Sequence, residues 1–213
     1  MYIAIEGVIG VGKTTLARLL KPTFDAEILL EVFEENPFLS DFYGDRARYA
    51  FQTQIFFLLS RYHQQKKSVP DLIEKHGNLI SDYTFAKDAL FARINLEGDE
   101  LEMYGRVHEA LAEKIRHPDL LVFLRAETKT LMERIAMRDR PYERDMDSGY
   151  IAQLGATYAD FFSKPYNNTP VLTIDADDLD FVRNPEDLRF IQGKIAEALK
   201  QTPLQPELIE PSP

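Results

Sequence analysis

The stretch MYIAIEGVIGVGKTT, Met1 to Thr15, decides the fold. Its apolar opening, Tyr2-Ile-Ala-Ile5, reads as a buried strand, and Gly7 to Thr14 matches the phosphate-binding pattern G-x-x-x-x-G-K-T at every fixed position. Gly7 falls where the strand turns, and Gly10 and Gly12 fall where backbone N–H groups approach phosphate oxygens closely. Lys13 then reaches the β- and γ-phosphates, and Thr14 offers its hydroxyl to Mg²⁺. A helix beginning near Lys13 aims unsatisfied N–H groups at the same anion, with Val11 and Thr15 in the same run. Strand before and helix after separate this P-loop from a chance glycine-rich turn. The cradle implies a bound nucleoside triphosphate.

Outward from this loop, short apolar runs alternate with longer amphipathic segments, the pattern of βα units feeding a parallel sheet covered by helices on both faces. Five strands are predicted: Tyr2–Glu6, Glu27–Glu31, Asn78–Asp82, Leu120–Arg125 and Pro170–Asp175. Helices are predicted at about Lys13–Leu20, Arg46–Lys67, Phe85–Leu96, Glu100–Arg116, Thr128–Arg138, Tyr150–Ser163 and Pro185–Lys200, from apolar residues at three- and four-residue intervals. The segment from Arg138 to Ser148 is polar and without periodicity, and reads as an exposed mobile lid. The tail, residues 201–213, holds four of the twelve prolines and reads as disordered or draped over the surface. That leaves one α/β domain over residues 1–200, and the 45% hydrophobic content is enough for its single core.

A formal net charge of −10 repels nucleic acid polymers and anionic membrane surfaces, so any anion is captured locally. Cysteine is absent, which excludes disulfides, thiolate metal sites and a cysteine nucleophile. The four histidines lack metal-ligand spacing. No apolar run approaches the ~20 residues of a membrane crossing. The start of the chain has no basic leader or cleavage site, and the expected location is the cytoplasm.

The C-terminal ends of the strands carry the candidate chemistry, because ligands gather at that edge of an open α/β sheet. Glu31 ends the second strand and could accept a hydroxyl proton, a role that asks for geometry more than a shifted pKa. Glu34 and Glu35 follow closely and read as a solvated acidic loop. Asp82 ends the third strand, where it could hold Mg²⁺ together with Thr14, cap the next helix, or both. Arg138, Arg140 and Arg144 could close over a transferring phosphoryl group or remain a solvated loop. Neither an NKxD guanine reader nor a DxxG switch stands in a fitting place, which favours small-molecule phosphoryl transfer over a GTPase.

The combination resembles the deoxynucleoside kinase family, in particular its bacterial deoxyguanosine and deoxyadenosine kinases. The resemblance rests on IEGVIGVGKTTLA (Ile5–Ala17), ENPFLSDFY (Glu35–Tyr43), YAFQTQIFFLLSRYHQ (Tyr49–Gln64), SDYTFAKDALFA (Ser81–Ala92) and RDRPYE (Arg138–Glu143). It implies a P-loop kinase fold, a five-stranded parallel sheet with an arginine-rich lid, that transfers the γ-phosphate of ATP to the 5′-hydroxyl of a purine deoxynucleoside. It further implies that Glu31 is the base, with Lys13, Arg138 and Arg140 stabilising the phosphoryl group. Tyr43 and Glu143 are implied to bind the sugar 3′-hydroxyl, and Gln52 to read the base edge with its donor and acceptor. Phe51 is either a stacking wall or core. Asp82 and Asp88 complete the implied substrate site, Asp88 facing guanine, and the run from Asp175 to Leu179 resembles the loop against the adenine of ATP. The family also implies a homodimer. Where many relatives read Asp-Arg-Ser or Glu-Arg-Ser, this chain reads Asp82-Tyr83, so the charge of that arginine must come from elsewhere, with Lys13, Arg138 and Arg140 the candidates. The alternatives are a thymidylate-kinase-like nucleotide kinase and a catalytically silent partner subunit.

Overall fold

The structure, a computed structural model, describes residues 1–32, 36–163, 166 and 168–201. Glu34, Glu35 and the proline-rich tail beyond residue 201 lie outside the described residues. The elements run β1 (Tyr2–Gly7), α1 (Lys13–Leu20), β2 (Glu27–Leu29), α2 (Leu39–Gly44), α3 (Arg46–His76), β3 (Leu79–Ser81), α4 (Ala86–Asn95), α5 (Gly98–Ala112), β4 (Leu120–Arg125), α6 (Thr128–Arg138), α7 (Ser148–Phe162), β5 (Val171–Asp175) and α8 (Pro185–Gln201).

The five strands form one parallel sheet in the order β2-β3-β1-β4-β5. All six residues of β1 are buried, so both faces of the sheet are covered and the strand needs no polar alternation. Side chains alternate across a strand: Tyr2 and Ala4 pack with Val69 of α3, whereas Ile3 and Ile5 join the main cluster with Leu16 and Leu20 of α1 and Ile191 and Ile195 of α8. Because β1 has β3 on one side and β4 on the other, the connections diverge at its C-terminal end. The P-loop opens into that crevice.

The predicted strands and helices are all present, with shifted ends. The predicted β2 and β3 are too long by two residues at Glu31 and by one at each end of β3, because a side chain takes over from the ladder: Asp82 Oδ1 accepts from the Glu31 N–H at 2.8 Å. The predicted end of α3 at Lys67 is also wrong, since the helix continues through Pro70 to His76. An interior proline costs ~3 kcal/mol. Val69, Leu72 and Ile73 pack beside Tyr2, Leu29 and Leu79, and burial worth ~1.5–3 kcal/mol per fully buried large apolar side chain outweighs that cost. Two elements escaped the sequence reading, α2 and a short 3-10 turn at Pro141–Glu143 inside the lid. Both are too short to display a period.

Candidate active site

The P-loop turns through Gly10 (φ +88°) and Gly12 (φ +105°), backbone that side-chain-bearing residues rarely adopt. A Cβ on Gly10 would stand 2.9 Å from the Leu131 carbonyl oxygen of α6, and one on Gly12 would stand 2.9 Å from the Phe181 ring. Glycine is therefore required for packing as well as for the turn. Lys13 donates to the carbonyl oxygens of Gly7 (2.7 Å) and Val8 (3.1 Å). Burial and the neighbouring Lys87 ammonium push the Lys13 ammonium down to about 8, against the pull of Glu6, Glu31 and Asp82. Thr14 donates to Asp82 Oδ2 at 2.5 Å, so Asp82 ties the start of α1 to the end of β2.

Glu31 sits in a cluster of buried charge. Arg61, from α3, donates through Nε (3.1 Å) and through one terminal nitrogen to Glu31 Oε1, and its other terminal nitrogen pairs with Asp88 of α4. Lys87 donates to Glu31 Oε2 at 2.5 Å. Burial by itself would raise the Glu31 carboxyl, but Arg61 and Lys87 prevail and hold it well below the usual carboxylate range. Asp88 is fully buried, and burial together with the charge of Glu31 pushes its carboxyl up to about 7 against Arg61. Its Oδ2 has no hydrogen-bond partner among the described residues.

An acceptor cavity opens in front of this cluster, walled by Phe42, Tyr43, Gln54, Phe57, Phe91 and Tyr142, with Glu31, Arg61 and Lys87 on one side and Lys13 and Thr14 beneath. Tyr43 stacks on Tyr142 with ring centroids 5.9 Å apart. Glu143 is buried at the lid end, where Arg138 donates to it at 2.5 Å and Arg140 lies 3.6 Å away. Tyr43 and Glu143 thus face one cavity together, and Arg138 and Arg140 border it too. Arg144 turns outward to Asp139, at 2.7 Å.

The sequence placed the cavity glutamine two residues too early. Gln52 is exposed on α3, and Gln54, only 2% exposed, lines the cavity. Two residues turn a helix by about 200°, so the two glutamines lie on nearly opposite sides. Of the two readings of Phe51, the structure has the core one: it packs against the cluster of Phe42, Leu58 and Tyr62, and Phe57 is the phenylalanine of α3 in the cavity wall.

On the other side of the P-loop runs a donor groove lined by Gly10 to Thr15, Arg18, Arg134, Arg138, Arg140 and the segment from Asp177 to Arg183. Arg134 ties its walls, donating to the carbonyl oxygens of Val11 (3.3 Å) and Ala176 (2.7 Å). Asp175 does not border this groove. It is exposed at the end of β5 and pairs with Arg125 at 2.6 Å, while Asp177 to Leu179 of the same run do line the groove.

The profile of the deoxynucleoside kinase family matches residues 3–200. The chain belongs to the deoxynucleoside kinase family. It is 34% identical to a deoxyguanosine kinase of Bacillus subtilis (strain 168) over 93% of this chain and 97% of that protein. A deoxyguanosine kinase of Lactobacillus acidophilus is 31% identical over 93% of this chain and 91% of its own length. Among solved structures, the deoxyadenosine kinase of M. mycoides with bound dCTP superposes with a TM-score of 0.79 at 28% identity, covering 92% of this chain and 100% of that one. The fold is accordingly that of a P-loop kinase, and the protein is a phosphate-transferring enzyme.

Within this kinase, Arg61, Lys87, Gln54 and Arg134 are the site residues that the sequence reading missed. One signal was available for two of them. Gln54, Phe57 and Arg61 recur at three and four residues, so they share the face of α3 that looks into the cavity. Tyr83, the departure from the relatives' arginine, points away from the phosphate side. Its ring is fully buried beside Tyr2, Ala4 and Val69, and its hydroxyl donates to Gln64 at 2.6 Å. Gln64 in turn donates to the Leu30 carbonyl at 2.9 Å, next to Glu31.

Proposed function

We propose that this kinase transfers the γ-phosphate of ATP to the 5′-hydroxyl of a purine deoxynucleoside, deoxyguanosine ahead of deoxyadenosine. The observation that carries the reading is one cavity bordered at once by Glu31, the Tyr43–Glu143 pair, Gln54 and the P-loop residues Lys13 and Thr14. In this reading the sugar lies with its 3′-hydroxyl between Tyr43 and Glu143. The base lies against Gln54 and Phe57, whose amide and ring suit a heterocyclic edge and face. Glu31, kept ionised by Arg61 and Lys87, accepts the 5′-hydroxyl proton and aims its oxygen along the line of attack. Arg138 and Arg140 border both cavities, where guanidinium groups can meet the charge that develops on the transferring group. Asp88 is a second-tier substrate residue, acting through Arg61.

Mg²⁺ belongs to the same reading. The Thr14 hydroxyl and Asp82 carboxylate offer two hard oxygens at the phosphate end, a donor set suited to an ion that takes the rest of its shell from phosphate and water. Bound there, it would offset the negative charge of the β- and γ-phosphates.

A panel of deoxynucleosides and their monophosphates with ATP and Mg²⁺, read as relative kcat/KM, tests the proposal. Deoxyguanosine is expected first and deoxyadenosine second. Turnover confined to monophosphates would replace the proposal with a thymidylate-kinase-like activity, and a pyrimidine preference would strike the base assignment alone. A homodimer, implied by family membership, completes the reading and is checked by sedimentation.

A further inference from the structure

Asp82 is followed by a tyrosine that cannot serve the phosphates, because its ring is packed into the core and its hydroxyl is engaged by Gln64. The charge at this corner of the site comes instead from the first turn of the next helix. Lys87 lies near the start of α4 with its side chain 10% exposed, its ammonium 2.5 Å from Glu31 Oε2 and 5.5 Å from the centre of the Phe91 ring. Lys87 is buried and borders the same cavity as Lys13, Thr14 and Glu31, so its ammonium stands among the groups of the P-loop rather than at the surface.

The two oxygens of Glu31 are therefore held by different cations. Oε1 receives two bonds from Arg61, whose charge is shared with Asp88, and Oε2 receives Lys87. A carboxylate has about four lone-pair sites, and this arrangement fills three, leaving one on Oε2 to meet a substrate hydroxyl. Removal of Lys87 would leave Glu31 Oε2 buried without its cation.

We propose that Lys87 is a positioning residue of this kinase, the cation from α4 that stands in for an arginine after Asp82 by occupying Glu31 Oε2 and directing its free lone pair at the acceptor hydroxyl. The inference rests on Glu31 being the base. It makes Tyr83 a structural residue of the β3 end and moves the cation of the motif five positions along the chain from Asp82.

The test compares Lys87→Met, Lys87→Arg, Lys87→Gln and Glu31→Gln with the parent, using ATP, Mg²⁺ and the best deoxynucleoside of the panel. Lys87→Met is expected to lower kcat by ~30-fold or more while both KM values stay within about threefold. Lys87→Arg is expected to recover kcat to within about fivefold of the parent. A parent-like kcat in Lys87→Met overturns the inference. A loss with no recovery in Lys87→Arg, or one in which both KM values rise along with it, also overturns it, because that pattern marks packing alone. If Lys87→Met does not fold, Lys87→Gln carries the same expectations, with its melting temperature as the control for folding, and a parent-like kcat there overturns the inference equally. A parent that phosphorylates no deoxynucleoside, or a Glu31→Gln variant at full turnover, strikes the proposed function itself. An active parent with an impaired Glu31→Gln and a fully active Lys87→Met strikes only the role of Lys87.

Discussion

The acceptor cavity and the donor groove share Gly10, Lys13, Thr14, Arg138 and Arg140, yet they are built on different principles. The cavity measures about 110 Å³ and the groove about 830 Å³. The cavity is defined by side chains locked to one another: Arg61 to Glu31 and Asp88, Lys87 to Glu31, Arg138 to Glu143, Tyr43 to Tyr142. The groove relies on the P-loop backbone, and its rim includes exposed Met137 and Val182. Backbone amides recognise any phosphate chain, whereas a cavity of mutually fixed side chains can discriminate among substrates.

Breaking the cavity should therefore cost far more than perturbing the groove. Arg61→Met has the largest expected effect, since it leaves Glu31 and Asp88 buried without their shared cation. Unfolding free energy should fall by about 3–5 kcal/mol, read by denaturant titration, because an unpaired buried charge is the costly outcome. The variant's kcat/KM for the deoxynucleoside should fall at least ~100-fold, while ATP affinity changes little.

A sharper cut uses the two glutamines of α3. Gln54→Ala should lower kcat/KM for the deoxynucleoside by ~10- to 100-fold, the loss of one or two hydrogen bonds in a desolvated wall. Gln52→Ala should stay within about twofold, since that side chain faces outward. Equal effects would remove the distinction between the two faces.

The smallest expected effect probes the groove side through Lys13. In the ligand-free protein its ammonium titrates at about 8, and phosphate contact favours the charged form, so the complex holds a proton that the free protein lacks above that pH. Calorimetry of ATP binding at pH 8.5 in buffers of different ionisation enthalpy should register proton uptake, with little at pH 7. Affinity should weaken as pH rises through this range, by no more than about tenfold per pH unit. Proton release instead would contradict the pairing of Lys13 with phosphate.

Much of the site was legible because it follows from local chain geometry. Gly7 to Thr14 is a contiguous motif, and Glu31 and Asp82 sit at strand ends, which parallel topology brings to one edge. Tyr43 and Glu143 became legible through the family resemblance and do face one cavity. Gln52 was assigned through the family resemblance, whereas its own pattern reads as an ordinary polar position on an aromatic-rich helix, and the structure turns Gln54 of that helix to the cavity. Asp175 was assigned through the likeness of the run from Asp175 to Leu179 to the family's adenine loop; β5 lies outermost in the sheet and its last carboxylate pairs with Arg125, so the run reaches the groove only from Asp177 onward.

What the sequence determined by itself is the phosphate end of this protein: the P-loop, the order of βα units and the acids at the strand tips, all set by local spacing and by the handedness of parallel connections. What only the tertiary structure decided is the wiring of the acceptor end. Arg61 is thirty residues from Glu31 along the chain, Lys87 is fifty-six, and Arg138 meets Glu143 across a turn too short to carry a period. Ion pairs over such separations leave no pattern in a linear sequence, since they form only when packing of α3 and α4 against the sheet brings the charges out of water and into contact.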